Sequence, residues 1–302
     1  MVNNVLKYEI VIDLCKDYTD IVRAQLAARH IFSTQDGEKL WYEYFNLLKK
    51  SIPRKKRTVK ISKEFKCPED MSTGLAKLAE QIKRGNDLNV YLSKDAGNPS
   101  KFDGLLYDWG IYHFHLGEEI DKKTGMIKRT GPILFARIDE ETVYFINVYK
   151  HGRGSSPWAK QEMVKIIHNN WPQTIANFKM EVDLTNEFGV KTQFPDTYYE
   201  KARREGSFVL VQVDKGIAYA PIGNGLASSR HSIEIISHCD DIYNCLKDAE
   251  EHVINHLCDF VDIIEDTGHK IDDKMHFRLW IRDKRFYVVE LLSKVEILGV
   301  DI

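Results

Sequence analysis

The sequence predicts an α+β protein of two domains, each a mostly antiparallel sheet packed with helices. Three observations support this fold class. Short runs of apolar, β-branched and aromatic residues come in pairs joined by turns, as in antiparallel hairpins. Segments with apolar residues at helical spacing separate these pairs. The chain has 302 residues, which is enough for two ordinary domains with their own cores.

The first elements alternate between strands and helices. Leu6, Tyr8 and Ile10 alternate with polar neighbours and predict a strand over 6–14. Helical spacing predicts helices over 38–50 and 71–84, and Gly85 supplies a C-terminal stop for the second. A basic, β-branched stretch predicts a strand between them. That strand covers residues 58–62.

The middle of the chain is the part richest in predicted strands. One strand is expected over 110–117, and a hairpin is expected from 132–138 and 142–152, which are joined by a short acidic turn. A helix follows within 156–172, with Pro157 at its first position. These elements belong to a predicted N-terminal domain over residues 1–205.

A mixed, charged stretch precedes a predicted C-terminal domain over residues 206–302. Its first hairpin turns at Asp214-Lys215. Ser237 is expected to begin one long helix, whose apolar face continues to Ile264. A last hairpin is predicted from 275–281 and 285–292.

The composition and short motifs of the sequence argue against a membrane protein and against a nucleotide-cofactor-binding protein. No apolar run is long enough to span a bilayer, and charges interrupt the apolar residues of the N-terminal segment, so we expect a cytoplasmic protein that does not engage membranes. The five cysteines form no CxxC pair. The glycine-rich stretch 223–229 lacks the lysine of a P-loop and the third glycine of a dinucleotide fingerprint, and no cofactor is predicted.

The stretch YDWGIYHFHLG contains two histidines, His113 and His115, separated by one residue. In a strand, alternate side chains share a face and lie roughly 6.5–7 Å apart. Both histidines and Ile111 are therefore expected on one face, with Phe114 on the other. Such a pair indicates either a functional surface or a hydrogen-bonded structural role.

Several cations are predicted to lie near this pair of histidines. If the three central strands are adjacent, their side chains form a cluster of His, Arg and Lys with no surplus of carboxylates. Such a cluster suits phosphate binding and proton transfer. The candidate catalytic residues are His113, His115, Arg129, Arg137, Lys150 and His151. Cations at strand ends are also common in ordinary sheets, which is the structural alternative.

An HxH strand is also a known metal-ligand arrangement. A third ligand would have to come from Asp108, Glu118, His151 or His168, none of which stands at a diagnostic spacing. His252 and His256 are four residues apart on a predicted helix, but no HExxH motif is present. We therefore predict no metal ligands and keep metal-dependent hydrolysis as an alternative.

Residues 49–66 carry seven Lys and two Arg against one Glu, a net charge of +8, although the whole chain has a formal charge of −2. A segment with this density of positive charge is typical of proteins that contact the phosphate backbone of a nucleic acid. A solvated loop and a strand edge protected by lysines would give the same pattern. The candidate nucleic-acid-binding residues are Arg54, Lys55, Lys56, Arg57, Lys60 and Lys63.

The segment RTGPILFARIDEETVYFINVYKHG resembles the core hairpin of RelE-like and barnase-like ribonuclease toxins over about residues 105–155. Arg137 and either Lys150 or His151 would match the basic residues of that hairpin. The resemblance implies metal-independent RNA cleavage, in which the ribose 2′-hydroxyl attacks the adjacent phosphorus. The chain departs from these small toxins in its length, and the HxH strand is not a standard RelE feature.

The sequence thus favours a metal-independent endoribonuclease, acting as a bacterial toxin or phage-defence effector. One of His113 and His115 would be the general base and a second histidine the general acid, with Arg129, Arg137 and Lys150 stabilising the phosphorane. RNA is the expected partner, and an antitoxin or regulatory protein would accompany a toxin. A non-catalytic module that binds nucleic acid or protein is the other alternative, because no dense acid–base motif is present.

Overall fold

The computed structural model describes residues 8–151, 157–182, 194–283 and 285–300. It confirms the α+β class, with mostly antiparallel sheets packed against helices. The elements in chain order are β1 (Glu9–Val11), α1 (Leu14–Ala27), α2 (Gly37–Lys50), β2 (Thr58–Ile61), α3 (Ser72–Arg84), α4 (Gly104–Trp109), β3 (Ile111–His115), β4 (Pro132–Ile138), β5 (Thr142–Lys150), α5 (Glu162–Asn170), β6 (Lys179–Glu181), α6 (Asp196–Arg204), β7 (Val211–Asp214), β8 (Ile217–Tyr219), α7 (Ile233–Asn255), α8 (Leu257–Asp266), β9 (Lys274–Arg282), β10 (Arg285–Glu290) and β11 (Glu296–Val300).

The chain forms two compact units, and their limits differ from the predicted boundary at residues 205/206. The terminal unit combines Met1–Tyr44 with Ile235–Ile302, and the central unit is Phe45–Glu234. The predicted boundary is wrong because β1 pairs in parallel with β9, a long-range contact that brings the two ends of the chain into one unit. Residue 205 lies inside the central unit.

The terminal unit contains a four-stranded sheet in the order β1-β9-β10-β11. The predicted hairpin of β9 and β10 is confirmed. The predicted strand 6–14 starts at Leu6 and Lys7, which lie outside the described residues, and it ends earlier than expected, because Asp13 accepts the amide N–H of Lys16 and the chain enters α1 at Leu14. The predicted long helix begins at Ile233 instead of Ser237 and is interrupted at His256, which separates α7 from α8.

The central unit contains a four-stranded sheet in the order β2-β5-β4-β3 and a three-stranded sheet in the order β6-β8-β7. The two hairpins predicted here are confirmed as β4–β5 and β7–β8. Strand β4 is buried on both faces. Ile133 and Phe135 join the core cluster that includes α5 residues, whereas Leu134 and Ala136 join the cluster that includes α3 residues.

Strand β3 forms the edge of the larger sheet and follows α4 through a tight turn. Gly110 ends α4 with φ of 62°, a left-handed conformation that favours glycine. Ile111 belongs to the α5-side cluster and Phe114 to the α3-side cluster, so the predicted alternation of faces is confirmed. Across the described ranges, no helix is both long and apolar enough to cross a bilayer.

Candidate functional site

The two histidines of β3 line a cavity of about 370 Å³ in the central unit that is partly open to solvent. We call it the three-histidine cavity, because His113, His115 and His151 all line it. This volume lies within the range of small-ligand sites. The other lining residues come from α2, α4, β3, α6 and several loops of the central unit, and they include Lys50, Lys101, Phe102, Asp103, Tyr112, Arg129, Trp158, Glu200, Arg203, Arg204, Leu226 and Arg230.

His113 stands between an aromatic ring and a carboxylate. Its ring lies 5.0 Å from that of Trp158 in an edge-on arrangement, and its Nδ1 lies 3.8 Å from Oδ2 of Asp103. Nδ1 is buried and has no hydrogen-bond partner within the described part of the chain. Burial lowers the pKa of His113, the Asp103 carboxylate opposes this effect, and His151 and Arg129 add to it. The ring is therefore neutral near pH 7.

His115 is only 2% exposed, and it is held by a backbone donor. The N–H of Thr130 donates to its Nδ1 at 3.3 Å, so we assign the proton of the neutral ring to Nε2. Burial lowers its pKa to about 4, with further lowering by His113 and Arg129. His115 is thus a neutral hydrogen-bond donor at pH 7 and a poor proton acceptor.

His151 follows the last residue of β5. Its backbone N–H donates to the carbonyl of Gly131 at 2.8 Å, which keeps it beside the start of β4. Its ring lies 5.0 Å from Trp158, the same distance as the ring of His113. One tryptophan therefore contacts two of the three histidines and sets their spacing.

A buried ion pair holds this tryptophan in place. Nε of Arg203 donates to the Asp108 carboxylate at 2.9 Å, and its NH1 donates to the carbonyl of Trp158 at 2.5 Å. The guanidinium also lies 4.5 Å from the ring of Trp109. Arg203 is 8% exposed and Asp108 is 4% exposed, so the pair is desolvated and depends on its geometry. Arg203 therefore fixes the segment that carries Trp158.

Asp103 has two roles that are not among the sequence predictions. Its Oδ1 accepts the N–H of Leu106 at 3.0 Å and caps α4, while its Oδ2 approaches His113. The cap fixes the carboxylate before any ligand binds. An Asp that precedes a helix is a recognisable N-cap signal, but its approach to a histidine ten residues later depends on how α4 turns into β3.

Lys50 anchors the loop that leads to Asp103. Its Nζ donates to three backbone carbonyls, those of Asn98 at 2.5 Å, Lys101 at 2.7 Å and Asp95 at 3.3 Å. Burial lowers the pKa of Lys50 to about 8, and two nearby carboxylates oppose this shift. Because its donors are used by the loop, Lys50 positions the cavity wall.

Two arginines leave positive charge at the cavity. Arg129 and Arg230 are exposed and line it. Within the described ranges, neither guanidinium forms a hydrogen bond or an ion pair. Arg204, by contrast, pairs with Glu200. The cavity therefore combines the neutral imidazoles of His113 and His115 with two guanidinium groups that have no partner among the described residues, an arrangement that suits an anionic ligand.

The structure brings together four of the six predicted catalytic residues, namely His113, His115, Arg129 and His151. Arg137 is placed elsewhere, because it pairs with Ile111 at the other end of β3 and donates to the carbonyls of Thr174 and Ile222. Burial lowers its pKa. Lys150 is exposed at the end of β5 and does not line the cavity.

The basic segment 49–66 is largely engaged within the fold. Arg54 pairs with Asp87 at 2.9 Å. Lys55 pairs with two glutamates at 2.7 and 3.0 Å. Arg57 is 7% exposed and donates to two backbone carbonyls, so its guanidinium is not a surface group.

The remaining three residues of the predicted nucleic-acid-binding set, Lys56, Lys60 and Lys63, are exposed. Strand β2 lies at the opposite sheet edge from β3, three strand spacings or about 14 Å away. These lysines are therefore a surface separate from the three-histidine cavity.

Among the residues that the structure describes, no group of three or more His, Cys, Asp or Glu side chains is placed to hold a metal ion. His168, one of the proposed third ligands, instead has its Nδ1 3.0 Å from the hydroxyl of Tyr219. Asp108 is held by Arg203.

Comparison of the chain with protein-family models, with curated proteins and with solved structures finds no significant match. The resemblance to ribonuclease toxins therefore rests on the residues of the β4–β5 hairpin. Function must accordingly be inferred from the three-histidine cavity itself.

Proposed function

We propose that the central unit is a metal-independent endoribonuclease and that the three-histidine cavity is its active site. The observation that carries the proposal is the convergence in one cavity of three imidazoles and Arg129, whose guanidinium has no partner among the residues that the structure describes. Acid–base cleavage of RNA needs a proton acceptor, a proton donor and a cation beside the phosphate, and this set can supply all three.

His113 is assigned as the general base. It is neutral near pH 7, and Asp103 lies on its Nδ1 side, which leaves Nε2 to accept a proton. The 3.8 Å separation is longer than a hydrogen bond, and catalytic hydrogen bonds commonly shorten when substrate binds. His113 would take the proton of the ribose 2′-hydroxyl as that oxygen attacks phosphorus.

The other residues of the cavity would assist the rest of the phosphoryl transfer. The bond from the 2′-oxygen to phosphorus forms, and the bond from phosphorus to the 5′-oxygen breaks. His151 would donate a proton to the departing 5′-oxygen. Arg129 and the Nε2–H of His115 would stabilise the negative charge of the phosphorane. The products would be a 2′,3′-cyclic phosphate and a free 5′-hydroxyl.

The test is RNA cleavage by metal-stripped protein in the presence of chelator. The H113N variant should cleave about 10²- to 10⁴-fold more slowly, the usual contribution of general acid–base catalysis. H168N is the matched control, because His168 lies in the same unit but does not line the cavity. Wild-type protein that binds RNA without cleaving it would overturn the proposal and favour a binding module. Cleavage that requires added metal would favour metal-dependent hydrolysis.

A further inference from the structure

An exposed aromatic ring lies in the wall of the three-histidine cavity. Phe102 is 38% exposed, although large apolar side chains in this unit are mostly buried. It directly precedes Asp103, the carboxylate beside His113. The ring of His231 contacts it edge-on, with 4.8 Å between ring centroids. An aromatic surface is thus left accessible next to the proposed catalytic histidines.

The loop of residues 223–232 carries His231, and backbone contacts hold this loop against α4. The N–H of Gly223 donates to the carbonyl of Asp108, and the N–H of Gly225 donates to that of Tyr107. A Cβ at Gly223 would lie 2.4 Å from a backbone oxygen of α4, so this close approach requires glycine. A bridge between Leu226 and Ser232 closes the loop. His231 is therefore fixed against Phe102 before any ligand binds.

The same loop carries positive charge to the cavity. Arg230 has φ of 69°, an uncommon conformation for a residue with a side chain, and the loop hydrogen bond from its N–H to Ala227 holds it there. Its side chain is exposed at the cavity. Lys101, which directly precedes Phe102, also lines the cavity and is exposed. An aromatic ring flanked by cations is the combination that binds single-stranded nucleic acid.

We infer that Phe102 is the stacking platform for an unpaired nucleobase and that the three-histidine cavity accepts single-stranded RNA. The inference rests on the proposed function and adds the class of substrate. In an A-form duplex the bases are paired and stacked on each other, and proteins contact mainly its backbone and 2′-hydroxyls. A base can reach a ring inside a cavity of about 370 Å³ only when it is unpaired and turned out of a stack.

The test compares binding of two uncleavable RNAs, whose 2′-hydroxyls are replaced by fluorine. One is a short single strand that contains 2-aminopurine, whose fluorescence falls when it stacks, and the other is its duplex. F102A should bind the single strand about 5- to 150-fold more weakly, the range that base–aromatic stacking spans. F102W should restore binding and the fluorescence change. F208A is the matched control, because Phe208 is 52% exposed in the same unit and does not line the cavity.

RNA cleavage assays with wild type and the same variants show whether a negative result concerns this inference or the proposed function. If wild type cleaves single-stranded RNA but F102A binds and cleaves like F208A, the inference is overturned and the ribonuclease proposal stands. Equal binding of single strand and duplex by wild type also overturns the inference. If wild type binds the single strand through Phe102 but cleaves no RNA, the proposed function fails while the stacking site stands. Thermal unfolding of each variant checks that weaker binding does not come from an unfolded protein.

Discussion

Acidification should destabilise the central unit through His115. Its side chain is 2% exposed, and its folded pKa of about 4 lies below the ordinary value of about 6.5. Between these two values the unfolded state binds a proton at this site and the folded state does not, so stability falls as pH falls. From about pH 7.5 to about pH 5, proton linkage at His115 lowers the stability by about 2 kcal/mol.

The assay is hydrogen exchange of the buried amides in β3, β4 and β5, corrected for the intrinsic pH dependence of exchange. This measurement reports the free energy of opening of the central sheet without requiring the whole chain to unfold in one step. H115N keeps a side-chain oxygen that can accept the N–H of Thr130 but cannot titrate. Its opening free energy should therefore fall by about 2 kcal/mol less than that of wild type over the same pH range.

The opening free energy of each protein at about pH 5 is compared with its own value at about pH 7.5. A decrease in the stability of H115N that is the same at both pH values therefore does not affect the result. H30N is the control, because His30 is exposed in the terminal unit, and it should retain the wild-type pH dependence. The burial of His113 also lowers its pKa, so wild type and H115N should both be destabilised further in acid. Equal pH dependence in wild type and H115N would refute the reasoning.

Other perturbations test the ion pair, the cap and the basic surface. R203M should destabilise the protein by about 3–5 kcal/mol in urea unfolding, because it leaves Asp108 buried without a partner, and adding D108L should recover much of that stability. A double variant no more stable than R203M would contradict this explanation of the pair. D103S should keep the helix cap and most of the stability but slow RNA cleavage, whereas unchanged cleavage would remove the carboxylate from the mechanism. Replacing Lys60 and Lys63 by glutamine should reduce the slope of log affinity for RNA against log salt by about 0.7 for each phosphate that the protein no longer neutralises, and an unchanged slope would exclude that surface.

The local elements of the sheets could be predicted because their patterns are local. The β4–β5 hairpin combines apolar arms with a short polar turn, and Gly85 marks the end of α3. Helix α1 could also have been found, since Leu14, Tyr18 and Val22 repeat every four residues after a capping Asp13. The predicted strand extended too far because Asp13 is the N-cap of that helix and Leu14 is its first residue.

The domain boundary could not be predicted from such patterns. The pairing of β1 with β9 joins segments more than 260 residues apart, and nothing in the sequence of either strand specifies its partner. The error has a functional consequence. A fragment ending at residue 205 would lack Leu226 and Arg230, which line the three-histidine cavity, so it does not isolate the proposed catalytic part.

The candidate site was predictable where strand geometry alone determines the outcome. Alternation placed His113 and His115 on one face, and the sheet order brought His151 to them. Arg137 of β4 shares that face, but it lies opposite Ile111, at the other end of β3 from His115, where it donates to two backbone carbonyls. The sequence shows which residues are cationic, but burial and hydrogen bonding determine which of them remain available to a ligand.

The most direct test of the central claim is the chemistry of the cleaved phosphate. Metal-stripped protein in chelator would be given a single-stranded RNA and the same RNA with one 2′-deoxynucleotide at the main cleavage position. We predict that the RNA is cut to give 2′,3′-cyclic phosphate ends, that the deoxynucleotide abolishes cutting at that position, and that H113N slows the reaction about 10²-fold or more. Cutting that continues at the deoxynucleotide, or that H113N leaves unchanged, would contradict 2′-hydroxyl attack at the three-histidine cavity.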